Sequence, residues 1–217
     1  NLGVGLLGHV LTCITGQSYD ALLRSRLLEP LGMTHTAYQL SDEQKRLLAT
    51  GYMGKDQNTP APDDDYGALA GCGDLASNVP DLARFLSLQM RAGQANVKPV
   101  SGGTLTELHT PQRLMDGWES GVGLGWITTP PAKDVKELAE IGDIVWHNGG
   151  TLGGYYAWIG FAPRHKLGAI VLTNASQDVD GLGFALLVMA FEQLNADRAI
   201  ASLPSGAEVL DAYVKAT

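Results

Sequence analysis

An α+β fold, with an antiparallel sheet flanked by helices, is predicted by the order of patterns along this 217-residue chain. Helical patterns fill the first half, four strand-like segments follow within residues 121–174, and an apolar helical run, GLGFALLVMAFEQL, comes after them. Helices followed by antiparallel strands and a packing helix are typical of this class. Hydrophobic residues make up 45% of the chain, which is enough to fill a core.

The first two helices are predicted from apolar spacing and from their ends. Apolar residues recur at helical spacing over the first fourteen positions, and we interpret this segment as a buried helix that ends at Gly16. Ser18 is a suitable N-cap for a second helix over 19–28, which Pro30 and Gly32 are expected to break.

Two further helices carry clear start signals. Asn78 and Pro80 open the first of them, because asparagine is a favoured N-cap and proline fits the first turn. Ser101 is positioned to cap a short helix that runs through His109.

Four segments are predicted as strands: GVGLGWITT (121–129), DIVWHNGG (143–150), YYAWIGFAP (155–163) and KLGAIVLTN (166–174). PRHK joins the last two as a hairpin turn. Apolar residues occupy both parities of GAIVLT, which predicts a strand covered on both faces.

We interpret residues 1–217 as one partial domain. Residues 1–115 form a mainly helical region, 116–195 an antiparallel sheet with its packing helix, and 196–217 a C-terminal helical extension that includes GAEVLDAYVKA.

Charge and spacing exclude several function classes. The formal net charge of −8 argues against a nucleic-acid partner and against binding to anionic membrane surfaces. The apolar N-terminal run is too short to span a bilayer, so no membrane-spanning segment is expected. Cys13 and Cys72 have no metal-type spacing, and the sequence leaves open whether they pair. We expect neither a metal nor a cofactor.

The most suggestive stretch for chemistry is HNGGTLGG, where His147 stands before four glycines at a predicted strand end. Glycine weakens strands, so such a cluster marks a bend or the close approach of a ligand or backbone. The other four histidines have plain structural interpretations. The chain contains neither a G-x-S-x-G elbow nor a Ser-x-x-Lys motif.

Four ordered segments resemble the serine β-lactamase and penicillin-binding-protein superfamily, and in particular its class C-like branch with family VIII esterases. They are SYDALLRSRLLEPLGMTHTAY, LAGCGDLASNVPDLARFL, GVGLGW, and HNGGTLGGYYAWIGFAPRHKLGAIVLTN. The last resembles the third active-site motif, which is Lys-Thr-Gly or His-x-Gly in that group. The N-terminal segment resembles the continuation of the Tyr-x-Asn motif, with Asn1 as its asparagine.

The resemblance implies specific roles for six residues. Gly150 would supply a backbone N–H to the oxyanion hole, and Gly149 would leave room for substrate. His147 would line the pocket and hydrogen-bond a tyrosine oxygen or a substrate carboxylate. Asn1 would point its amide at the acyl substrate. Asn148 and Thr151 are expected to contact the substrate.

The function implied is a serine acyl hydrolase acting on a β-lactam, an ester or a D-amino-acid peptide through an acyl-serine intermediate. By this alignment the nucleophile lies in a missing N-terminal half of the same protein, so the chain alone is expected to be inert and to expose an unpaired strand edge and apolar surface. A histidine in place of lysine favours an esterase, peptidase or weak β-lactamase. The family implies a periplasmic or extracellular location.

The alternative is a non-catalytic binding or regulatory module of the same fold. A Ser-x-x-Lys motif and a tyrosine in the upstream sequence would distinguish the enzyme from that module.

Overall fold

The architecture is α+β, as predicted, in a computed structural model that describes residues 1–62, 66–115, 120–130 and 136–201. The strands are β1 (Tyr52–Met53), β2 (Thr59–Pro60), β3 (Arg113–Leu114), β4 (Gly121–Val122), β5 (Ile127–Thr129), β6 (Ile144–Gly150), β7 (Tyr156–Ala162) and β8 (Leu167–Thr173). Strands β3 to β8 form one antiparallel sheet in chain order; β1 pairs with β2, and its Tyr52 also forms a parallel bridge with Ala175.

Helices lie before, between and after the strands of this sheet along the chain. They are α1 (Leu2–Thr15), α2 (Tyr19–Leu23), α3 (Glu29–Leu31), α4 (Asp42–Leu47), α5 (Val79–Gln89), α6 (Gly102–His109), α7 (Lys136–Ile141) and α8 (Asp180–Ala201). A π-helical turn (Arg24–Leu28) lies between α2 and α3, and a 3-10 helix spans Gly67–Cys72. The predicted helix over 206–216 lies outside the described residues.

Helix α1 ends at Gly16 as predicted, but its interpretation as a buried helix is wrong. Its buried positions are Gly5 and Gly8, and the large apolar side chains Leu2, Val4, Leu6, Leu7, Val10 and Ile14 are exposed. The glycine face packs against the 3-10 helix, where a Cβ on Gly5 would lie 2.6 Å from Leu69 Cδ2. Helical spacing shows where the apolar side chains lie on the helix, but they are buried only if another element packs over them.

The second helix begins at Ser18, whose Oγ accepts from the Ala21 N–H at 3.2 Å, but it is not broken at Pro30. The helical path continues through Pro30 and ends at Gly32, where the backbone is left-handed. In the preceding π-helical turn, the Glu29 N–H donates to the Arg24 carbonyl. Proline has no N–H to donate, and a wider turn accommodates that loss without ending the helix.

The caps of α5 and α6 are confirmed. Asn78 Oδ1 accepts from the Asp81 N–H at 2.9 Å, and Ser101 Oγ accepts from the Thr104 N–H at 3.1 Å.

The segment predicted as one strand over 121–129 is instead two, β4 and β5, which pair with each other. Gly125 lies between them with φ 84°, a left-handed conformation that reverses the chain. The glycines at every second position of GVGLG resemble the alternating pattern of a strand, but glycine also permits the turn that the structure has here.

Strands β6, β7 and β8 match their predicted segments, with a hairpin turn at 163–166. Both faces of β8 are covered as predicted, by α8 and by α5. Trp158, Leu187 and Phe191 belong to the core on the α8 side, and Leu86 and Phe161 to the core on the α5 side. The half-buried Trp146 lies against the fully buried Trp158 and against Phe184, so both tryptophans pack on the α8 side.

The segment Ala49–Tyr52, which we call the clasp, holds the β6–β7 turn from a distant part of the chain. The Tyr155 hydroxyl donates to the Ala49 carbonyl, and Asn174 Nδ2 donates to the Thr50 carbonyl at 2.8 Å. The Tyr52 N–H donates to the carbonyls of Gly154 and Asn174. The clasp thereby joins the end of β8 to the turn that follows β6.

His109 is buried in the core on the α5 side. Its Nε2 lies 2.9 Å from Gln89 Oε1, and its ring meets Trp126 and Phe161 edge-on. Burial lowers the pKa of His109 from 6.5 to about 4, because a charged imidazole loses its hydration there.

We therefore expect acid to destabilise the protein through His109. Above about pH 6.5 the imidazole is neutral in both folded and unfolded states; between pH 6.5 and 4 only the unfolded chain binds the proton, which costs roughly 2 kcal/mol. Urea unfolding of the full-length protein across this range measures the loss. His109→Gln should flatten that part of the profile, and an unchanged slope in the variant would contradict the assignment.

Candidate functional site

Strand β6 extends past its neighbour β5 and leaves a free edge. Pairing between them ends at Trp146 and Ile127, whereas pairing with β7 continues to Gly150. Residues His147–Gly150 therefore have a strand on one side, and on the other no described strand pairs with them. We call this segment the free edge. Four of the six predicted site residues lie on it.

The Gly150 N–H points out of the free edge. The Thr151 N–H donates to the Tyr155 carbonyl at 3.0 Å, so this facing pair is hydrogen-bonded. Such pairs alternate in an antiparallel ladder, so the next pair, Gly150 and Tyr156, directs its backbone groups away from the other strand. The same alternation turns the Asn148 carbonyl outward.

His147 is exposed and lies along this edge. Its Nδ1 is 2.5 Å from the Asn148 carbonyl oxygen, which confirms that this carbonyl faces outward. A carbonyl only accepts, so Nδ1 carries the proton, and Nε2 of the neutral ring is an acceptor. His147 therefore offers Nε2 to a hydroxyl or an acid at the edge.

The two glycines of the free edge have different surroundings. A Cβ on Gly149 would meet no atom within 4 Å, on the face that His147 shares. A Cβ on Gly150 would lie 3.0 Å from Tyr156 Cδ2, because the Tyr156 ring covers the opposite face of the strand, which Gly150 shares with Asn148. The open side of the edge is therefore the side of His147 and Gly149.

Asn148 faces α8 and belongs to a polar network. Its Nδ2 donates to the Tyr156 hydroxyl at 2.9 Å and to Asp180 Oδ2 at 2.6 Å. Asp180 is the first residue of α8, and its N–H donates to Asp178 Oδ1 at 2.7 Å. The network ties the start of α8 to β6 and β7 beside Gly150.

Burial raises the pKa of Asp180. The hydrogen bond from Asn148 lowers this pKa by less, and repulsion by Asp178 raises it further. The pKa of Tyr156 is raised by burial, then by the negative charges of Asp180 and Asp178. Two acidic side chains, Asp178 and Asp180, thus lie on the α8 side of the edge.

Thr151 and Asn1 lie off the free edge. Thr151 begins the turn to β7, and its hydroxyl oxygen is buried without a described hydrogen-bond partner. Asn1 precedes α1 and is exposed, and its side chain does not cap the helix. The main neighbours of α1 are α2 and the 3-10 helix. The structure therefore places four predicted site residues on one strand edge, with Thr151 in the turn that follows it and Asn1 at the start of α1.

Sequence reasoning missed Tyr156 and Asp180. An acidic residue in the first turn of a helix is a common stabilising feature, so Asp180 carried no functional signal of its own. Its link to Asn148 joins positions 32 residues apart.

The described residues show neither a metal cluster nor a membrane-spanning helix. Within the described ranges, no three His, Cys, Asp or Glu side chains are grouped so as to hold a metal ion. No described helix has both the length and the apolar character needed to cross a bilayer. Cys13 and Cys72 are free thiols.

Comparison with known proteins gives consistent matches. The beta-lactamase family model matches residues 1–188. A beta-lactamase of Pseudomonas fluorescens is 24% identical over 202 residues, covering 80% of this chain and 53% of that protein. The D-alanyl-D-alanine-carboxypeptidase/endopeptidase AmpH of Escherichia coli is 26% identical over 183 residues, covering 81% and 44%.

Solved structures share the fold. The class C beta-lactamase from Rhodobacter sphaeroides superposes with a TM-score of 0.70 at 20% identity, over 88% of this chain and 59% of that one. This chain spans about half the length of the two relatives above.

Proposed function

This chain belongs to the beta-lactamase family, and from that premise we propose that it is the C-terminal portion of a serine acyl hydrolase. Its substrate would be a small acyl compound: a β-lactam, an ester or a D-amino-acid peptide. The relatives named as beta-lactamase and as D-alanyl-D-alanine-carboxypeptidase/endopeptidase support the β-lactam and the D-amino-acid peptide in this range.

The observation that carries the proposal is the free edge at Gly150. An acyl transfer enzyme must hold the oxyanion of its tetrahedral intermediate with fixed donors. The Gly150 N–H faces outward, and Gly149 leaves space beside it. A substrate carbonyl placed there accepts from Gly150 and meets no side chain at Gly149.

The other predicted residues take supporting roles in this proposal. His147 accepts through Nε2 from a hydroxyl at the edge, or donates to a substrate group when charged. Asn148 presents its remaining Oδ1, and Thr151 shapes the turn after the edge. Asn1 directs its amide at the acyl group from the helical region.

In the proposed reaction, a serine outside these 217 residues attacks the acyl carbonyl and a base takes the serine proton. The bond from the acyl carbon to the ester oxygen, peptide nitrogen or ring nitrogen then breaks, and that atom receives the proton; the ring nitrogen of a β-lactam stays attached to the acyl group. Water then hydrolyses the acyl-serine. The lack of a Ser-x-x-Lys motif in the chain and its partial coverage of its relatives support this placement of the nucleophile. We further propose a periplasmic or extracellular location.

The test is covalent labelling of the full-length gene product with a fluorescent penicillin and with a fluorophosphonate. We expect label on a serine of an upstream Ser-x-x-Lys, located by mass spectrometry, and turnover of p-nitrophenyl butyrate. The purified 217-residue chain should take no label and show no turnover. Lack of label on the folded full-length protein would favour a non-catalytic binding module, and turnover by the chain alone would contradict our placement of the nucleophile.

A further inference from the structure

We propose that Asp180 is a specificity-determining residue that excludes anionic substrate groups from the α8 side of the free edge. This inference rests on the proposed function and adds the charge of the preferred substrate. Asp180 therefore favours acyl compounds that are neutral or cationic on the α8 side of the edge.

The first argument is that Asn148 has no donor left to offer. An amide nitrogen carries two hydrogens. One goes to the Tyr156 hydroxyl and the other to Asp180 Oδ2. A substrate carboxylate that reaches Asn148 therefore meets only the Oδ1 acceptor, and burying two acceptors against each other is unfavourable.

The second argument is charge. The charged groups that act on Tyr156 here are Asp180 and Asp178, both acidic. His147 lies on the opposite face of β6 from Asn148, because alternate side chains of a strand point to opposite faces. A positive charge on His147 therefore lies on the other side of the edge. An anion on the α8 side faces the carboxylates of Asp178 and Asp180 instead.

The third argument is that Asp180 keeps this arrangement fixed. It stands at the start of the 22-residue helix α8, whose Leu187 and Phe191 pack in one core cluster with Trp158. The Tyr156 ring covers Gly150, and its hydroxyl is held by the amide that Asp180 orients. The acidic residue is thus attached to a rigid element beside the proposed oxyanion donor.

A penicillin and its methyl ester form a matched pair of probes, since esterification removes the charge of one carboxyl group and adds only a methyl group. For the full-length enzyme, we expect kcat/KM to be about tenfold or more higher for the methyl ester, a difference typical of one nearby like charge.

Two variants separate the charge from the hydrogen bond. Asp180→Asn removes the charge and keeps an acceptor for Asn148. We therefore expect the preference, which is the ratio of kcat/KM for the methyl ester to kcat/KM for the free acid, to fall about tenfold. Asp180→Ala also frees one amide hydrogen, and kcat/KM for the free acid should rise further.

Asp197→Asn is the matched control, because it makes the same change on α8 about 25 Å further along the helix axis. It should leave the preference unchanged. An equal preference for acid and ester in the wild-type enzyme, or an unchanged ratio in Asp180→Asn, would overturn the proposal. So would failure to hydrolyse either penicillin by an enzyme that hydrolyses p-nitrophenyl butyrate. Loss of all turnover and labelling would instead overturn the proposed function.

Discussion

Gly51→Ala should lower the free energy of unfolding of the full-length protein by about 3 kcal/mol or more. A Cβ at this position would lie 1.8 Å from the Gly153 carbonyl oxygen and 3.1 Å from Tyr155 Cε2. The first atom belongs to the backbone, so the clasp and the β6–β7 turn must separate to admit the methyl group. Urea unfolding monitored by circular dichroism measures the change.

Gly103→Ala is the matched control for this substitution. It makes the same change in α6, where the nearest atom to a new Cβ is 3.9 Å away. Alanine is the better helix former, so stability should stay within about 1 kcal/mol of wild type or rise. If Gly51→Ala unfolds at the same urea concentration as Gly103→Ala, the clasp does not hold the turn as tightly as the contacts indicate.

Gly150→Pro should lower kcat of the full-length enzyme by about 100- to 1,000-fold, the usual cost of losing one oxyanion donor. Proline removes the N–H that we assign to the substrate. Because that N–H faces away from β7, no ladder hydrogen bond is lost, and proline is tolerated at such edge positions. The unfolding curve should therefore change much less than kcat.

Gly150→Ala separates the donor from the added bulk. It brings a Cβ to the same 3.0 Å contact with Tyr156 but keeps the N–H. We expect it to retain most of the activity that the proline variant loses, with kcat from initial rates on p-nitrophenyl butyrate as the measure. Equal losses in both variants would assign the effect to crowding and remove Gly150 as the donor.

Local features of this fold could be predicted from the sequence because their chemistry is local. Ser18, Asn78 and Ser101 each accept from an N–H three residues ahead. The last three strands were also predicted, since their apolar residues pack on both faces. These features need no knowledge of distant partners.

The remaining features depend on partners far along the chain. The exposed leucines of α1 have the spacing of a buried helix, and no periodicity says what covers them. Asn148 was predicted as a substrate contact from its motif, but its orientation depends on Asp180. The clasp joins positions more than 100 residues apart through main-chain carbonyls, which any residue type provides.

The order of strands in the sheet also bears on how the chain folds. From β3 to β8 each strand pairs with its successor, so the sheet can grow hairpin by hairpin. Loop-closure entropy is small for such contacts, and chains rich in them fold quickly. The clasp is different, because Thr50 and Asn174 must meet across 124 residues. We therefore expect the strands to assemble early and the closure that fixes the turn after the free edge to come late in folding.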